Sequence, residues 1–271
     1  MLRRSAKAHI IYVNPVDPLR ALANTRIVLV RTSHPGNIGA AARAMKTMGL
    51  RRLLLVAPKK FPDPVAEARA TGALDVLQAA QVCESLEQAL AGSTHAVALS
   101  ARRRELSHQL RSAREAAVEL AGRALNGEVA LVFGAEISGL SNDEVGLCHE
   151  LAMIPADPDY SSLNLGSAVQ VMAYELRVAL FGGDAPMLKK HQVESAGEIA
   201  PELARFEDVE HLYRHFEEIM LATGFLNPAQ PKRLMPRLRR LFARASLEKE
   251  EVNILRGFLS SVNSPKKRKP Q

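Results

Sequence analysis

One loop near the N-terminus combines residue types that suit the binding of an anionic or polar ligand. An apolar run, Ile27–Val30, leads into Thr-Ser-His-Pro-Gly-Asn-Ile-Gly at 32–39, and Arg43 follows on a predicted helix. Gly36 and Gly39 permit tight backbone geometry, and the start of a helix offers free N–H groups to an anion. The alternative is a capped strand-to-helix turn with an exposed arginine, and these residues by themselves leave both interpretations open.

Two further loops of this character follow predicted strands later in the chain. Residues 134–140 (Gly-Ala-Glu-Ile-Ser-Gly-Leu) come after an apolar run that ends at Phe133, and residues 154–164 come after one that ends at Ile154. Open α/β sheets bind ligands at the carboxyl ends of their strands. Three such loops indicate one shared site, whereas a single one would be weak evidence.

The elements that must position these loops are short apolar runs alternating with helical stretches. The runs predict buried strands at Ile27–Val30, Leu53–Val56, His95–Leu99, Val129–Phe133 and Leu151–Ile154. Helices are predicted at Ile38–Met48, Leu86–Ala91, Ala113–Leu125 and Leu165–Phe181. This alternation is typical of a mostly parallel sheet with helices on both faces, so the predicted class is α/β.

The chain divides into a main domain, a smaller module and three further segments. Residues 26–183 form the predicted α/β domain, and residues 201–263 repeat apolar residues at helix spacing, which predicts a small all-helical module. Within that module, helices are expected to include 234–245 and 247–262. The remaining segments are an N-terminal extension at 1–25, a linker at 184–200 that mixes Gly, Pro, Ser and charge, and a basic tail at 264–271.

The positive charge of the chain is concentrated at its C-terminal end. The formal net charge is +7, but residues 232–271 hold 12 Lys/Arg and 3 Asp/Glu, so the other 231 residues sum to −2. Such a region indicates a polyanionic partner, with RNA, DNA or an acidic membrane surface as candidates. A solvated tail is the alternative. It accounts for the final Lys-Lys-Arg-Lys but less well for four arginines at helical spacing, Arg233, Arg237, Arg240 and Arg244.

Several common site patterns are missing from the sequence. No GxGxxG follows a strand, and there is no P-loop, HExxH or CxxC pattern. His211 and His215 have the spacing to share a metal on one helix, but a solvated helix face is the simpler interpretation, and we expect no metal. Cys83 and Cys148 give no disulfide framework, and no apolar run approaches the roughly 20 residues of a membrane span. We therefore expect a cytoplasmic protein without membrane contact.

Together, the three loops resemble the motifs of the SPOUT class of S-adenosylmethionine-dependent RNA methyltransferases. Residues 33–49 resemble SHPGNxGxxxRxMKxMG, residues 133–140 resemble FGxExxGL, and residues 154–175 resemble IPxxxxYSSLNLxxAVQVxxYE. Within the class, the chain is most similar to enzymes that methylate a tRNA ribose 2′-hydroxyl at the pyrimidine that opens the anticodon loop. The resemblance runs from about Arg26 to about Val262 and includes the helical module.

The resemblance implies a fold, a cofactor and partners. The fold would carry a C-terminal trefoil knot in the α/β domain (an alpha-beta knot), and the protein would act as a homodimer whose site is completed across the interface. The cofactor would be S-adenosyl-L-methionine and the partner tRNA, gripped by the arginines of the helical module. By motif position, the cofactor contacts are expected at Leu99, Ser100, Ala101, Gly134, Ile154, Ser161, Ser162 and Leu163.

The chemistry can be argued from the residues that match these motifs. Methyl transfer to a ribose needs an oxygen nucleophile, and the hydroxyl is too weak an acid to ionise unaided at neutral pH. Arg43 is expected to stabilise the developing alkoxide and bind the adjacent phosphate, because an arginine stays charged and does not serve as a base. Ser162 would orient the hydroxyl or Arg43, Asn37 would shape the site, and Asn164 would brace the third loop. The final proton acceptor stays open.

Two residues depart from the family pattern. Arg31 stands where relatives usually carry a polar or acidic residue, and we expect it to add positive charge beside the RNA path. Ala135 stands where close relatives have Arg, which would remove an RNA or interface contact. Both departures bear on substrate choice rather than on the reaction.

Two other functions compete with methylation of tRNA. One is a SPOUT methyltransferase that acts on ribosomal RNA, and the other is a non-catalytic RNA-binding protein of the same fold. Retention of Arg43 and of Ser-Ser-Leu-Asn-Leu at 161–165 argues against the second.

Overall fold

A seven-stranded sheet forms the centre of the protein in a computed structural model that describes residues 17–101, 110–182 and 202–263. The strands are β1 (Thr25–Val30), β2 (Arg52–Val56), β3 (Gln81–Cys83), β4 (His95–Leu99), β5 (Leu110–Ser112), β6 (Val129–Phe133) and β7 (Glu150–Met153). All six pairings between neighbouring strands are parallel. Strands β1 and β6 are buried along their whole length, as expected for a parallel sheet covered on both faces.

The order of the strands brings the predicted loops to one edge of the sheet. The order is β3-β2-β1-β6-β4-β7-β5, so β1, β6, β4 and β7 are neighbours. Since parallel strands end at the same edge, the loops that follow these four strands emerge side by side. The order also inserts β7 between β4 and β5, and the trefoil knot itself stays a prediction.

Helices cover both faces of the sheet, which confirms the predicted α/β class. The helices of this domain are α1 (Pro18–Ala23), α2 (Pro35–Met48), α3 (Pro64–Ala70), α4 (Leu74–Gln78), α5 (Leu86–Leu90), α6 (Ala113–Ala124), α7 (Asn142–Gly146) and α8 (Leu165–Phe181). One core packs Ile27, Leu29 and Leu131 against residues of α2, α6 and α8, and a second packs Val28, Val30 and Val132 against α5 and α7.

Some short elements were not predicted from the sequence. Strands β3 and β5 have three residues each and lie at the two edges of the sheet, where partial exposure leaves no apolar run to recognise. Helix α1 lies within residues 1–25, which the sequence predicts to be an extension. Its Ala21 and Leu22 are buried in the first core, so the domain begins before residue 26.

Helix α2 has clear signals at both ends, and these fix where Arg43 lies. Pro35 occupies the first turn, and His34 caps the helix by accepting a hydrogen bond from the Gly36 N–H at Nδ1, 3.1 Å away. At the other end Gly49 adopts φ 87°, the left-handed conformation that favours glycine after a helix. Helix α2 packs against α3 and α8.

Three helices form the predicted C-terminal module, namely α9 (Phe206–Ala222), α10 (Leu234–Ala245) and α11 (Lys249–Asn263). Leu212 and Ile219 of α9 pack against Val252 and Leu259 of α11 in a separate small core. Helix α10 contributes no fully buried residue. The predicted linker at 184–200 and tail at 264–271 lie outside the described residues.

The module packs against the amino-terminal edge of the sheet, opposite the three loops. Phe206 is buried in the second core of the α/β domain, and its N–H donates to the carbonyl oxygen of Ser93, just before β4, at 2.9 Å. Arg123 Nη2 on α6 donates to the Ser246 hydroxyl at the end of α10 at 3.0 Å. No helix within the described ranges is long and apolar enough to cross a bilayer.

The crossing of α2 and α3 predicts a sharp stability effect at Gly39. A Cβ atom at this position would lie 2.1 Å from the carbonyl oxygen of Ala66, so Gly39→Ala must push the helices apart. We expect a loss of about 1–3 kcal/mol in the free energy of unfolding, measured by thermal and urea denaturation. Gly72→Ala is the control, because nothing lies within 4 Å of its added Cβ. Equal melting temperatures for the two variants would contradict this account of the crossing.

Candidate active site

A cavity of about 360 Å³ opens at the carboxyl ends of β4, β6 and β7. Its walls come from the loops that follow these strands and from the first turns of α8. All eight residues predicted to contact the cofactor line it: Leu99, Ser100, Ala101, Gly134, Ile154, Ser161, Ser162 and Leu163. The structure therefore brings the second and third loops into one site.

The second loop folds back on itself and forms one wall of this cavity. The Gly139 N–H donates to the carbonyl oxygen of Ala135 at 2.8 Å, and Gly139 adopts φ 66°. A Cβ atom on Gly134 would lie 2.2 Å from the backbone of Gly139 and Leu140. Only glycine fits at position 134, because any side chain would force this loop open.

The carboxylate of Glu136 ties the second loop to the first. Its Oε2 accepts hydrogen bonds from the Ser33 N–H at 2.9 Å and from the Ser33 hydroxyl at 2.8 Å. Its Oε1 accepts from the His34 N–H at 3.1 Å and from Asn37 Nδ2 at 2.8 Å. One side chain thus satisfies four donors around the start of α2.

These hydrogen bonds change the acidity of Glu136. Partial burial acts to raise its pKa, but the donors from Ser33, Asn37 and His34 outweigh that effect and lower the pKa to about 2. Glu136 is therefore ionised throughout the neutral range. It is suited to hold the loops in place and unsuited to act as a proton donor at neutral pH.

Asn37 extends the network to the third loop. Its Oδ1 accepts from Asn164 Nδ2 at 3.1 Å, and Asn164 Oδ1 accepts from the Gly166 N–H at 2.9 Å, which caps α8. A Cβ on Gly166 would lie 2.8 Å from that of Ala40, so α8 begins directly against α2. These contacts give Asn37 a structural position in the site, and its catalytic role stays a prediction.

Arg43 lies on α2 but outside the cavity walls. Its side chain is exposed and makes no hydrogen bond or ion pair with any residue in the described ranges. It lies six positions after Asn37, which puts the two side chains on different faces of the helix. Ser162 is exposed at the cavity. No hydrogen bond joins Arg43 to Ser162 among the described residues, so the structure does not bring this predicted pair together.

Arg31 does not present the free positive charge that its position in the sequence predicts. Its guanidinium forms a two-pronged ion pair with Glu144 in the first turn of α7, with Nη2 2.9 Å from Oε2. The pair leaves no net charge at this point. The expectation that Arg31 adds charge beside the RNA path is therefore corrected.

The arginines of the C-terminal module differ in how they are held. Arg239 pairs with Glu210 on α9, with Nη2 2.7 Å from Oε2, and its guanidinium lies 4.5 Å from the ring centre of Tyr213. The four predicted RNA contacts are instead exposed, and none makes an ion pair with a described residue: Arg233, Arg237, Arg240 and Arg244. The structure thus leaves these four side chains available to a polyanion.

Glu136 is a central residue of the site for which the sequence alone predicts no role. It lies within the FGxExxGL motif, so an acidic residue directly after a strand was the available signal. Its partners Ser33 and Asn37 are about 100 residues away in the chain, and spacing could not identify them.

His211 and His215 belong to no cluster that could hold a metal. Among the described residues, no group of three or more His, Cys, Asp or Glu has a suitable arrangement.

Two family models match the chain, one on each structural unit. The SpoU rRNA methylase family matches residues 24–174, and the C-terminal domain of the tRNA methyltransferase TrmJ matches residues 207–271. The first match covers more than half of the chain. The chain belongs to the TrmJ family of SpoU methylases. This confirms the resemblance to SPOUT methyltransferases that the three motifs carry.

Curated relatives extend the TrmJ-family match over most of the chain. A tRNA (cytidine/uridine/adenosine-2′-O-)-methyltransferase TrmJ from Pseudomonas aeruginosa is 48% identical over 242 residues, covering 89% of this chain and 94% of the relative. A tRNA (cytidine/uridine-2′-O-)-methyltransferase TrmJ from Cronobacter sakazakii is 47% identical, covering 92% of this chain and 100% of the relative. Both matches span the α/β domain and the helical module.

A solved TrmJ-family structure has the same fold. TrmJ from Zymomonas mobilis ZM4 superimposes with a TM-score of 0.76 at 32% sequence identity, covering 89% of this chain and 99% of that one. A probable methylase family protein from Haemophilus influenzae Rd KW20 is 41% identical, with a TM-score of 0.58.

The low pKa of Glu136 predicts a pH-dependent contribution to stability in this TrmJ-family chain. A carboxylate with a depressed pKa stabilises the folded state above the pKa of the unfolded chain, and that contribution is lost as the pH falls toward about 2. At pH 7, Glu136→Gln should lower the free energy of unfolding by roughly 1–2 kcal/mol, a value reduced by solvent screening of this partly exposed group. At pH 3 the difference from wild type should be smaller.

Urea denaturation at the two pH values measures this effect. Glu87→Gln, at an exposed position of α5, is the matched control and should unfold like wild type at both. A Glu136→Gln protein whose deficit stayed the same at pH 3 would show that the deficit does not come from the charge.

Proposed function

We propose that this protein transfers a methyl group from S-adenosyl-L-methionine to a ribose 2′-hydroxyl of tRNA, at the pyrimidine that opens the anticodon loop. The observation that carries the proposal is a cavity lined by the second and third motif loops, to which Glu136, Asn37 and Asn164 tie the first loop by hydrogen bonds. The names of the curated relatives support the tRNA ribose as acceptor.

The cavity fits a nucleoside cofactor in size and chemistry. Its volume of about 360 Å³ lies within the usual range for small-molecule sites. Leu99, Ile154 and Leu163 offer apolar surface to an adenine ring, and Ser161 offers a hydroxyl to polar groups. S-adenosyl-L-methionine, when bound, supplies an electrophilic methyl group. Gly134 packs directly against the backbone of Gly139 and Leu140, so the second loop forms a compact wall of the cavity.

Arg43 activates the ribose electrostatically. A guanidinium stays charged and has a planar fork of donors, so it can bind a phosphate and stabilise developing negative charge on the 2′-oxygen. Its side chain is free of protein partners among the described residues, which keeps the fork open to RNA. Ser162, at the cavity, orients the hydroxyl.

A second copy of the chain completes the site in this proposal. Arg43 lies outside the cavity of its own chain, and α8, which packs against α2, exposes Tyr174, Val178 and Phe181 at a spacing that places them along one stripe. An exposed apolar stripe next to an incomplete site suits an interface between two copies. Since tRNA is the substrate, we place the homodimer in the cytoplasm.

The family description leaves ribosomal RNA as a second candidate substrate. The model that matches residues 24–174 describes rRNA methylases, whereas the module at 207–271 matches the C-terminal domain of a tRNA methyltransferase. Labelled methyl transfer to purified tRNA and to purified ribosomal RNA separates the two. Incorporation into ribosomal RNA alone would contradict the proposed substrate.

Replacement of Arg43 tests the catalytic assignment. Arg43→Ala should lower kcat on tRNA by at least about 100-fold, because electrostatic stabilisation of the reacting oxygen is lost. The affinity for S-adenosyl-L-methionine, measured by calorimetry, should change less than about twofold, because Arg43 lies outside the cavity. Arg51→Ala, another exposed arginine just after α2, is the control and should keep wild-type turnover. Full activity in Arg43→Ala would remove this residue from the mechanism.

Replacement of two arginines on α10 tests the RNA-binding assignment. Binding that depends on phosphate contacts weakens with salt, and each lost contact flattens that dependence by roughly one unit of slope. Arg237→Ala combined with Arg240→Ala should weaken tRNA binding and lower the slope of log K against log salt by about two units. Methyl transfer at saturating tRNA should persist. An unchanged salt slope would show that α10 does not contact the RNA backbone.

A further inference from the structure

The mouth of the cavity carries two large apolar side chains that lie almost entirely in solvent. Ile137 is 91% exposed and Tyr160 is 83% exposed, the highest values among the large apolar side chains of the described residues. Both line the same cavity although they belong to different loops. Single exposed apolar side chains are common on protein surfaces, but two that line one cavity are typical of a groove that binds a ligand.

Hydrogen bonds in each loop hold these two residues at the mouth. Tyr160 ends a turn in which its N–H donates to the carbonyl oxygen of Asp157 at 3.1 Å, while the Asp159 N–H donates to Asp157 Oδ1 at 2.8 Å. Ile137 directly follows Glu136, whose carboxylate is fixed by four donors. Both residues therefore lie in or directly beside hydrogen-bonded parts of the two loops.

We propose that Tyr160 stacks on the base of the nucleotide being methylated and that Ile137 provides a second apolar contact for this base. The inference rests on the proposed function. A ribose whose 2′-oxygen reaches the cavity carries its base with it, and a base of a single-stranded loop exposes an apolar face that aromatic side chains cover well.

The chemistry of stacking also fits the range of substrates in this family. Stacking accepts any base, because every base has a π-face. The Pseudomonas aeruginosa relative acts on cytidine, uridine and adenosine, which a stacking contact allows and a strict hydrogen-bond readout would oppose. A second copy of the chain is the other possible cover for Tyr160, but the stripe on α8 already provides a separate surface for that contact.

Kinetics of Tyr160→Ala and Tyr160→Phe test the proposal, with Tyr160→Phe as the matched control that keeps the ring. Loss of one base stack should raise KM for tRNA about tenfold or more in Tyr160→Ala, whereas Tyr160→Phe should stay within about twofold of wild type. Ile137→Ala should raise KM less. The affinity for S-adenosyl-L-methionine and the oligomeric state should be unchanged in all three variants.

A fluorescent base gives a direct signature of the contact. Full-length tRNA with pyrrolocytosine at the target position should change its emission on binding wild type or Tyr160→Phe, and should not do so with Tyr160→Ala. Unchanged KM and emission in Tyr160→Ala would overturn the inference. So would a loss of cofactor affinity or of the dimer in that variant, because the ring would then cover the cofactor or a second copy. Failure of the wild-type protein to bind S-adenosyl-L-methionine would instead overturn the proposed function.

Discussion

Four hydrogen bonds converge on the Glu136 carboxylate, and they join loops that lie about 100 residues apart in the chain. Through Asn37 and Asn164 the same network reaches the N-terminus of α8. The position of α2, the shape of the second loop and the start of α8 all depend on this one ionised group. A side chain without an acceptor oxygen here would leave these four donors, three of them partly buried, without their shared partner.

The fold could be predicted where a single segment carries its own signal. The central strands are continuous apolar runs because both faces of the sheet are covered, so β1 and β6 were recognisable. The edge strands β3 and β5 lack that signal because they are short and partly exposed. Helix α1 was missed since its six residues bury only Ala21 and Leu22, too few to show a period.

The site could be predicted only in part, for a similar reason. Loops at the carboxyl ends of neighbouring strands must meet, so the convergence of the second and third loops followed from topology. The ionic partners did not, because Glu144 lies 113 residues from Arg31 and neutralises a charge that looks free in the sequence. Arg239 shows the same effect within the helical module. Its guanidinium pairs with Glu210, so Arg239 does not count among the exposed, unpaired arginines of α10.

The central claim is that the joined loops carry out methyl transfer to one ribose of tRNA. Mass-spectrometric mapping of tRNA after incubation with the purified protein and S-adenosyl-L-methionine tests it most directly. The account predicts a single 2′-O-methylated pyrimidine at the first position of the anticodon loop. A methyl group on a base, at several unrelated nucleotides or on no nucleotide of tRNA would contradict it.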